Sequence, residues 1–255
     1  MKYTFGTSIE AASRLEDIAR FFNPLAASLI ERYASESPKV AIDLGCGPGF
    51  STDMLSRAGK ARETIGLDNS PAFLATARDR FRHCRFIEHD VTRTPFPATA
   101  DIMYVRFLLS HLPEPVELLR QWATQLAPGG VLVLDETEAV ESEVDVFRRY
   151  LSASAALVAS QGARLFVGAE LAGKDYRVRT LLDECAVWPV PDSRAATWFL
   201  PNTKTVWRRS DVVLGLMSLS EIEGISDALS DLAGSEERGS RITWRIRRIV
   251  LKREE

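Results

Sequence analysis

Lys39-Val40-Ala41-Ile42-Asp43-Leu44-Gly45-Cys46-Gly47-Pro48-Gly49-Phe50-Ser51 is the stretch from which the rest of the chain is read. An apolar run from Val40 to Leu44, broken once by Asp43, gives way to three glycines spaced by single residues. From Phe50 to Ala58 the pattern turns helical. The order is strand, tight turn, helix. Glycines belong in such a turn because they take positive φ and let a ligand approach where a Cβ would collide. The helix that follows points its first N–H groups and positive dipole end at the same spot. The stretch therefore proposes a cofactor site built largely from backbone.

Working outward, strands and helices alternate. Thr64–Leu67 reads as a second strand ending in Asp68-Asn69-Ser70. Ser70 then caps a helix that opens at Pro71 and runs through Phe81. Arg85–Glu88 is a third strand, ending at His89-Asp90-Val91, and Ala100–Val105 a fourth. Pro115–Leu126 is helical and stops at Pro128-Gly129-Gly130, before a fifth strand over Val131–Leu134 that ends in Asp135-Glu136. This alternation predicts an α/β fold with a mostly parallel sheet and helices on both faces. Ligands of such sheets sit beyond the carboxyl ends of the strands, where the strand order reverses. The first three strands all end there in glycine-rich or acidic turns.

The flanks read less regularly. Ahead of the first strand, Thr7–Ala34 is helical, with Asn23-Pro24 expected to divide it in two. Tyr3 and Phe5 lie before it as an extended arm that either plugs the core edge or folds over the ligand mouth. After Glu136, helices are expected over Ser142–Gln161, Asp175–Ala186 and most of Thr205–Gly234, the last with Asp211 and Ser220 as caps. A sixth strand is expected at Ala195–Leu200 from its aromatic and β-branched content. Ile242–Leu251 reads as the last, with Arg245 and Arg247 on its open face.

A dinucleotide-binding turn would carry glycines at its first, third and sixth positions. Here the sixth position is Phe50, glycine falls at the fifth, and Asp43 precedes the turn. Asp43-Leu-Gly-Cys-Gly-Pro-Gly49 resembles instead the first motif of class I S-adenosylmethionine-dependent methyltransferases. Ile65–Ser70, Glu88–Val91, Ala100–Pro115 and Leu126–Asp135 resemble, in order, that family's later strand-end motifs, the fourth in its small-molecule branch. The likeness covers roughly Val40 to Glu136. It implies a Rossmann-like seven-stranded sheet in a single domain. Residues 1–36 would form a helical lid, 37–136 the cofactor core, and 137–255 the cap helices and last two strands.

The resemblance further implies S-adenosylmethionine as cofactor, with S-adenosylhomocysteine as product. Gly45, Cys46 and Gly47 would pass close to its methionine part, and Asp43 would hold the turn and the ammonium group. Asp68 would accept both ribose hydroxyls, since two carboxylate oxygens suit two donors. Asn69 would flank the adenine, Asp90 would accept its amino group, and the Val91 N–H would reach a ring nitrogen. Arg106 faces three readings: the cofactor's carboxylate, an acidic group on the substrate, or a surface partner for Asp135 or Glu136. The candidate catalytic residues are Arg106, His111 and Glu136, with His111 also resembling a packing histidine. Trp198, Trp207 and Tyr150 are candidate pocket walls.

Composition bounds the partners. A net charge of −3 without a strong basic block argues against general nucleic-acid binding. The first residues lack a signal-peptide pattern and no apolar run would span a membrane, so a cytoplasmic enzyme is expected. Cys46, Cys84 and Cys185 are scattered as reduced thiols would be, and the three histidines form no metal-binding pair. The expected protein is a monomeric or homodimeric methyltransferase that transfers methyl to O, N or C of a small metabolite. Two alternatives are a silent cofactor-binding relative, and a protein or RNA methyltransferase that docks through Arg208, Arg209 and the basic last strand.

Overall fold

The computed structural model describes residues 9–236 and 239–255. Tyr3 and Phe5 lie outside the described residues. Alternation of apolar residues in the first strand builds the layers. In β1 (Val40–Leu44), Ile42 and Leu44 point to one face of the sheet and Ala41 to the other. The same division runs through β2 (Glu63–Asp68), β4 (Ala100–Arg106) and β5 (Leu126–Ser142). Ile65, Met103 and Leu132 join the first face, where α4 (Pro115–Ala123) packs Leu119 and Trp122. On the second, Ile102, Tyr104 and Val133 meet α2 (Phe50–Gly59) and the C-terminal half of α1 (Ile9–Tyr33).

The seven strands form one sheet of order β3-β2-β1-β4-β5-β7-β6, completed by β3 (Arg85–Glu88), β6 (Arg179–Val190) and β7 (Ile242–Lys252). The first five run parallel; β7 runs antiparallel to β5, and β6 antiparallel to β7. The strand order reverses at β1, flanked by β2 and β4, so the glycine turn after β1 lies at the switch point. The helix α3 (Pro71–Arg80) opens as expected, with Ser70 Oγ accepting the Phe73 N–H.

Several flanking expectations are corrected. Asp175–Ala186 is not a helix: most of it lies in β6, which pairs with β7 from Arg179↔Lys252 to Val190↔Ile242. Pairing with a distant strand outweighed a helix-compatible local sequence. Ala195–Leu200 is not a strand but part of α7 (Asp192–Lys204), where Ala195, Ala196, Trp198, Phe199, Asn202 and Thr203 are buried at helical spacing. The sheet thus has the expected number of strands with a different sixth one.

Asn23-Pro24 does not divide α1, which is one helix with Pro24 inside it. Phe22 and Leu25 pack against the cap while Ala26, Leu29 and Ile30 pack against the sheet, so burial on both sides of the proline offsets its missing hydrogen bond. The fifth strand is far longer than Val131–Leu134. The caps of α8 (Asp211–Leu216) and α9 (Leu219–Gly234) are Ser210 and Ser218, not Asp211 and Ser220. Ser218 forms a reciprocal capping box with Glu221.

Above the carboxyl ends of the strands lies a second core. It joins α5 (Asp145–Ala159), α7, α8 and α9 to Phe22 of α1 and Trp244 and Ile246 of β7. Among the described residues no helix is long and apolar enough to cross a membrane.

Candidate active site

The glycine turn is held by side chains beneath and beside it. Asp43 is buried, and its Oδ2 accepts from Ser51 Oγ and Thr52 Oγ1, both at 2.7 Å. Burial pushes its pKa up to about 6 despite these two bonds. Asp43 therefore ties β1 to the first turn of α2, and it does not line the cavity above. From β2, Asp68 accepts the Gly47 N–H on Oδ2 and the Ser70 N–H on Oδ1, each at 2.8 Å. Burial raises its pKa as well, opposed by these backbone donors.

Two glycines have distinct steric reasons. Gly45 has φ +67°, and a Cβ there would stand 2.7 Å from Leu108 Cδ1. Gly47 has φ +51° and opens onto space, with only Leu15 Cδ1 within 4 Å of an added Cβ. A backbone cradle with room above it is what a ligand's approach requires.

That space belongs to a cavity of about 280 Å³ bounded by Gly45, Cys46, Gly47, Asp68 and Asn69 on one side and by the cap on the other. Arg106 and His111 line it too. A second cavity of about 220 Å³ adjoins it, sharing Gly45, Asp68, Asn69, Leu108 and Leu112. His89, Asp90 and Val91 line this second space. Asp90 is held there by Thr92, whose N–H and hydroxyl both reach its Oδ1, and this hydrogen bonding lowers its pKa. The two cavities form one groove along the ends of β1, β2 and β3.

Arg106 ends β4, and its Nη1 donates to Asn23 Oδ1 at 2.9 Å. Asn23 Nδ2 in turn donates to the Phe50 carbonyl, linking α1, β4 and the start of α2. Arg106 is not the hydrogen-bonding partner of Asp135 or Glu136. Asp135 pairs with Arg248, and Glu136 Oε1 accepts the Leu108 and Leu109 N–H groups at 2.7 and 2.6 Å. Glu136 is fully buried off the cavity, with its pKa pushed up to about 8, and its carboxylate anchors the loop after β4. The pKa of His111 is pushed down to about 4, by burial and then by nearby Arg14.

The cap side carries residues that sequence reasoning left without a role. Arg14 of α1 donates from Nη1 to Asn202 Oδ1 of α7 at 3.0 Å. Phe107, directly after Arg106, has φ +52°, a conformation that bulky residues adopt at cost and that often marks a site. Trp198 and Tyr150 line the cavity as expected, whereas Trp207 lies behind Tyr150, stacked on it at 5.0 Å. The helical spacing of Arg14, Leu15 and Ile18 was visible in the sequence, but nothing local could pair α1 with α7.

A family model described as "Methyltransferase domain" matches residues 42–134. Over residues 42–134 the chain carries a methyltransferase domain. The chain is 36% identical over 137 residues to a trans-aconitate 2-methyltransferase of Methylobacterium radiotolerans, covering 54% of this chain and 53% of that protein. It spans about half the length of the curated relatives it matches. Among solved structures, a Haemonchus contortus phosphoethanolamine N-methyltransferase 2 in complex with S-adenosyl-L-methionine has a TM-score of 0.53 at 14% identity, over 91% of this chain and 53% of that one. The [4+2]-cyclase SpnF also has a TM-score of 0.53, at 17% identity, over 91% of this chain and 81% of that one. At such identities the likeness speaks for the fold, and what the methyltransferase domain does must be argued from its site.

Proposed function

We propose that this methyltransferase domain binds S-adenosylmethionine along the groove and transfers its methyl group to a carboxylate oxygen of a small organic acid. The groove fits that cofactor: Gly47 leaves space for an amino-acid tail, Asp68 keeps lone pairs for vicinal hydroxyls, and Asp90 with Val91 borders a second compartment sized for a base. Arg106, beside the glycine turn, is the cation for the tail's carboxylate. The bound cofactor supplies an electrophilic methyl on a sulfonium sulfur.

One observation carries the choice of acceptor. The main cavity is lined by Arg14 and Arg106, by a histidine held neutral, and, among the described residues, by no carboxylate except Asp68. A histidine with a pKa near 4 is a weak base at neutral pH. An ionised carboxylate needs no base, because it arrives deprotonated, and a guanidinium orients it through paired donors. The absence of a strong base therefore favours an anionic acceptor over a silent protein. The relatives named for trans-aconitate, itself a carboxylic acid, agree with this class.

Part of the strip suggested for macromolecular docking is neutralised. Arg247 pairs with Glu138 and Asp183, and Arg208 with Glu223. A small acceptor within the cavity is the better reading. The test is incubation with methyl-tritiated cofactor and a panel of organic acids, followed by mild alkali. Methyl esters release the label as methanol; label that stays attached in alkali would overturn carboxylate methylation.

A further inference from the structure

The cap half of the cavity holds an unclaimed polar atom. Ser154 of α5 is 1% exposed and lines the cavity, and its Oγ has no hydrogen-bond partner among the described residues. A serine within a helix can return its hydroxyl to the carbonyl four residues back, which here belongs to Tyr150, and this one does not. Leaving a buried hydroxyl unpaired is costly unless a ligand completes it.

Its neighbours have partners already. Tyr150, one turn earlier on the same helix, stacks on Phe199 at 4.0 Å and accepts from Asn202 Nδ2 at its hydroxyl. Asn202 Oδ1 takes the Arg14 donor. The surrounding walls are aromatic: Phe22, Phe107, Trp198, Phe199 and Trp244. Planar rings set edge and face around a space favour a flat apolar guest.

The charges set a limit. With Arg106 given to the cofactor's tail, Arg14 is the remaining cation of the described lining. A second or third carboxylate would be stripped of water against aromatic faces without a counter-charge.

We propose that the acceptor is a monocarboxylic acid with a flat apolar body and a terminal hydroxyl or carbonyl that meets Ser154 Oγ. Ser154 is then a specificity-determining residue, and compact polycarboxylates are poor ligands of this cavity. This rests on the methyltransferase reading for the end that Arg14 holds.

The test separates the pocket from the reaction. Binding of 4-hydroxycinnamate, cinnamate and trans-aconitate to the S-adenosylhomocysteine complex is measured by calorimetry, for wild type and Ser154→Ala. The hydroxylated acid is expected to bind at least about tenfold tighter than either other acid. Ser154→Ala is expected to bring it within about twofold of cinnamate, with unchanged affinity for S-adenosylhomocysteine and unchanged or raised thermal stability. Tighter binding of trans-aconitate, or a preference for the hydroxyl that survives Ser154→Ala, overturns the proposal. Tritium transfer is followed in parallel. Expected binding without transfer would sink the proposed reaction and leave the pocket assignment standing.

Discussion

The Gly47 N–H donates to Asp68 Oδ2 at 2.8 Å, so the turn after β1 is shaped by a carboxylate from the end of β2. The same carboxylate holds the Ser70 N–H on its other oxygen. Asp68→Ala is expected to weaken S-adenosylhomocysteine binding about 100-fold, from the loss of two charge-assisted hydrogen bonds. It is also expected to lower stability by about 1–3 kcal/mol, since two backbone donors lose their acceptor. Calorimetry and thermal unfolding of the variant measure both effects. Asp68→Asn, which keeps one acceptor oxygen, is expected to fall between.

Gly45 and Gly47 separate folding from binding. Gly45→Ala places a methyl 2.7 Å from Leu108 at a left-handed backbone position, and is expected to cost about 2–4 kcal/mol through strain and overpacking. Gly47→Ala meets nothing closer than 3.9 Å and is expected to cost only about 1–2 kcal/mol for its positive φ. Its methyl nevertheless enters the space above the cradle, so binding is expected to be lost although the protein stays folded. Denaturant unfolding of both variants alongside calorimetry checks the contrast.

Glu136 makes stability depend on pH in a defined sense. Its folded pKa of about 8 lies above the ordinary 4.5, so between these values the folded chain keeps a proton that the unfolded chain releases. Stability therefore falls as pH rises through that window, by at most about 1.4 kcal/mol per pH unit. Glu136→Gln retains an oxygen for the Leu108 and Leu109 N–H groups and removes the titration. Its melting temperature is expected to gain on that of the wild type from pH 5 to pH 8, and a parallel course would count against the assignment.

Asn23 couples α1 to the start of α2 through the Phe50 carbonyl and to the end of β4 through Arg106. Asn23→Ala is expected to cost about 1–2 kcal/mol and to raise the KM for S-adenosylmethionine several-fold with little change in kcat. An unchanged KM would show that Arg106 keeps its position without this tether.

The core of the fold was legible because it is local. A β-branched run, spaced glycines and a capped helix each follow from short-range preferences, and Asp68 and Asp90 stand at strand ends that alternation alone marks. The misreadings fall where distant segments decide. Arg179–Val190 is a strand because β7 lies beside it, and Pro24 sits within a helix because the sheet and the cap both grip that helix. At Glu136 the sequence marks only the end of a strand. Only the packed loop shows its carboxylate turned to two backbone donors.

By itself, the sequence determined the α/β sheet and the switch-point turn, because periodicity and turn chemistry act within a few residues. The tertiary structure decided the cap side of the cavity. Arg14, Ser154 and Asn202 come from three helices far apart in the chain, and they share one cavity only because burial of aromatic surface between those helices brings them together.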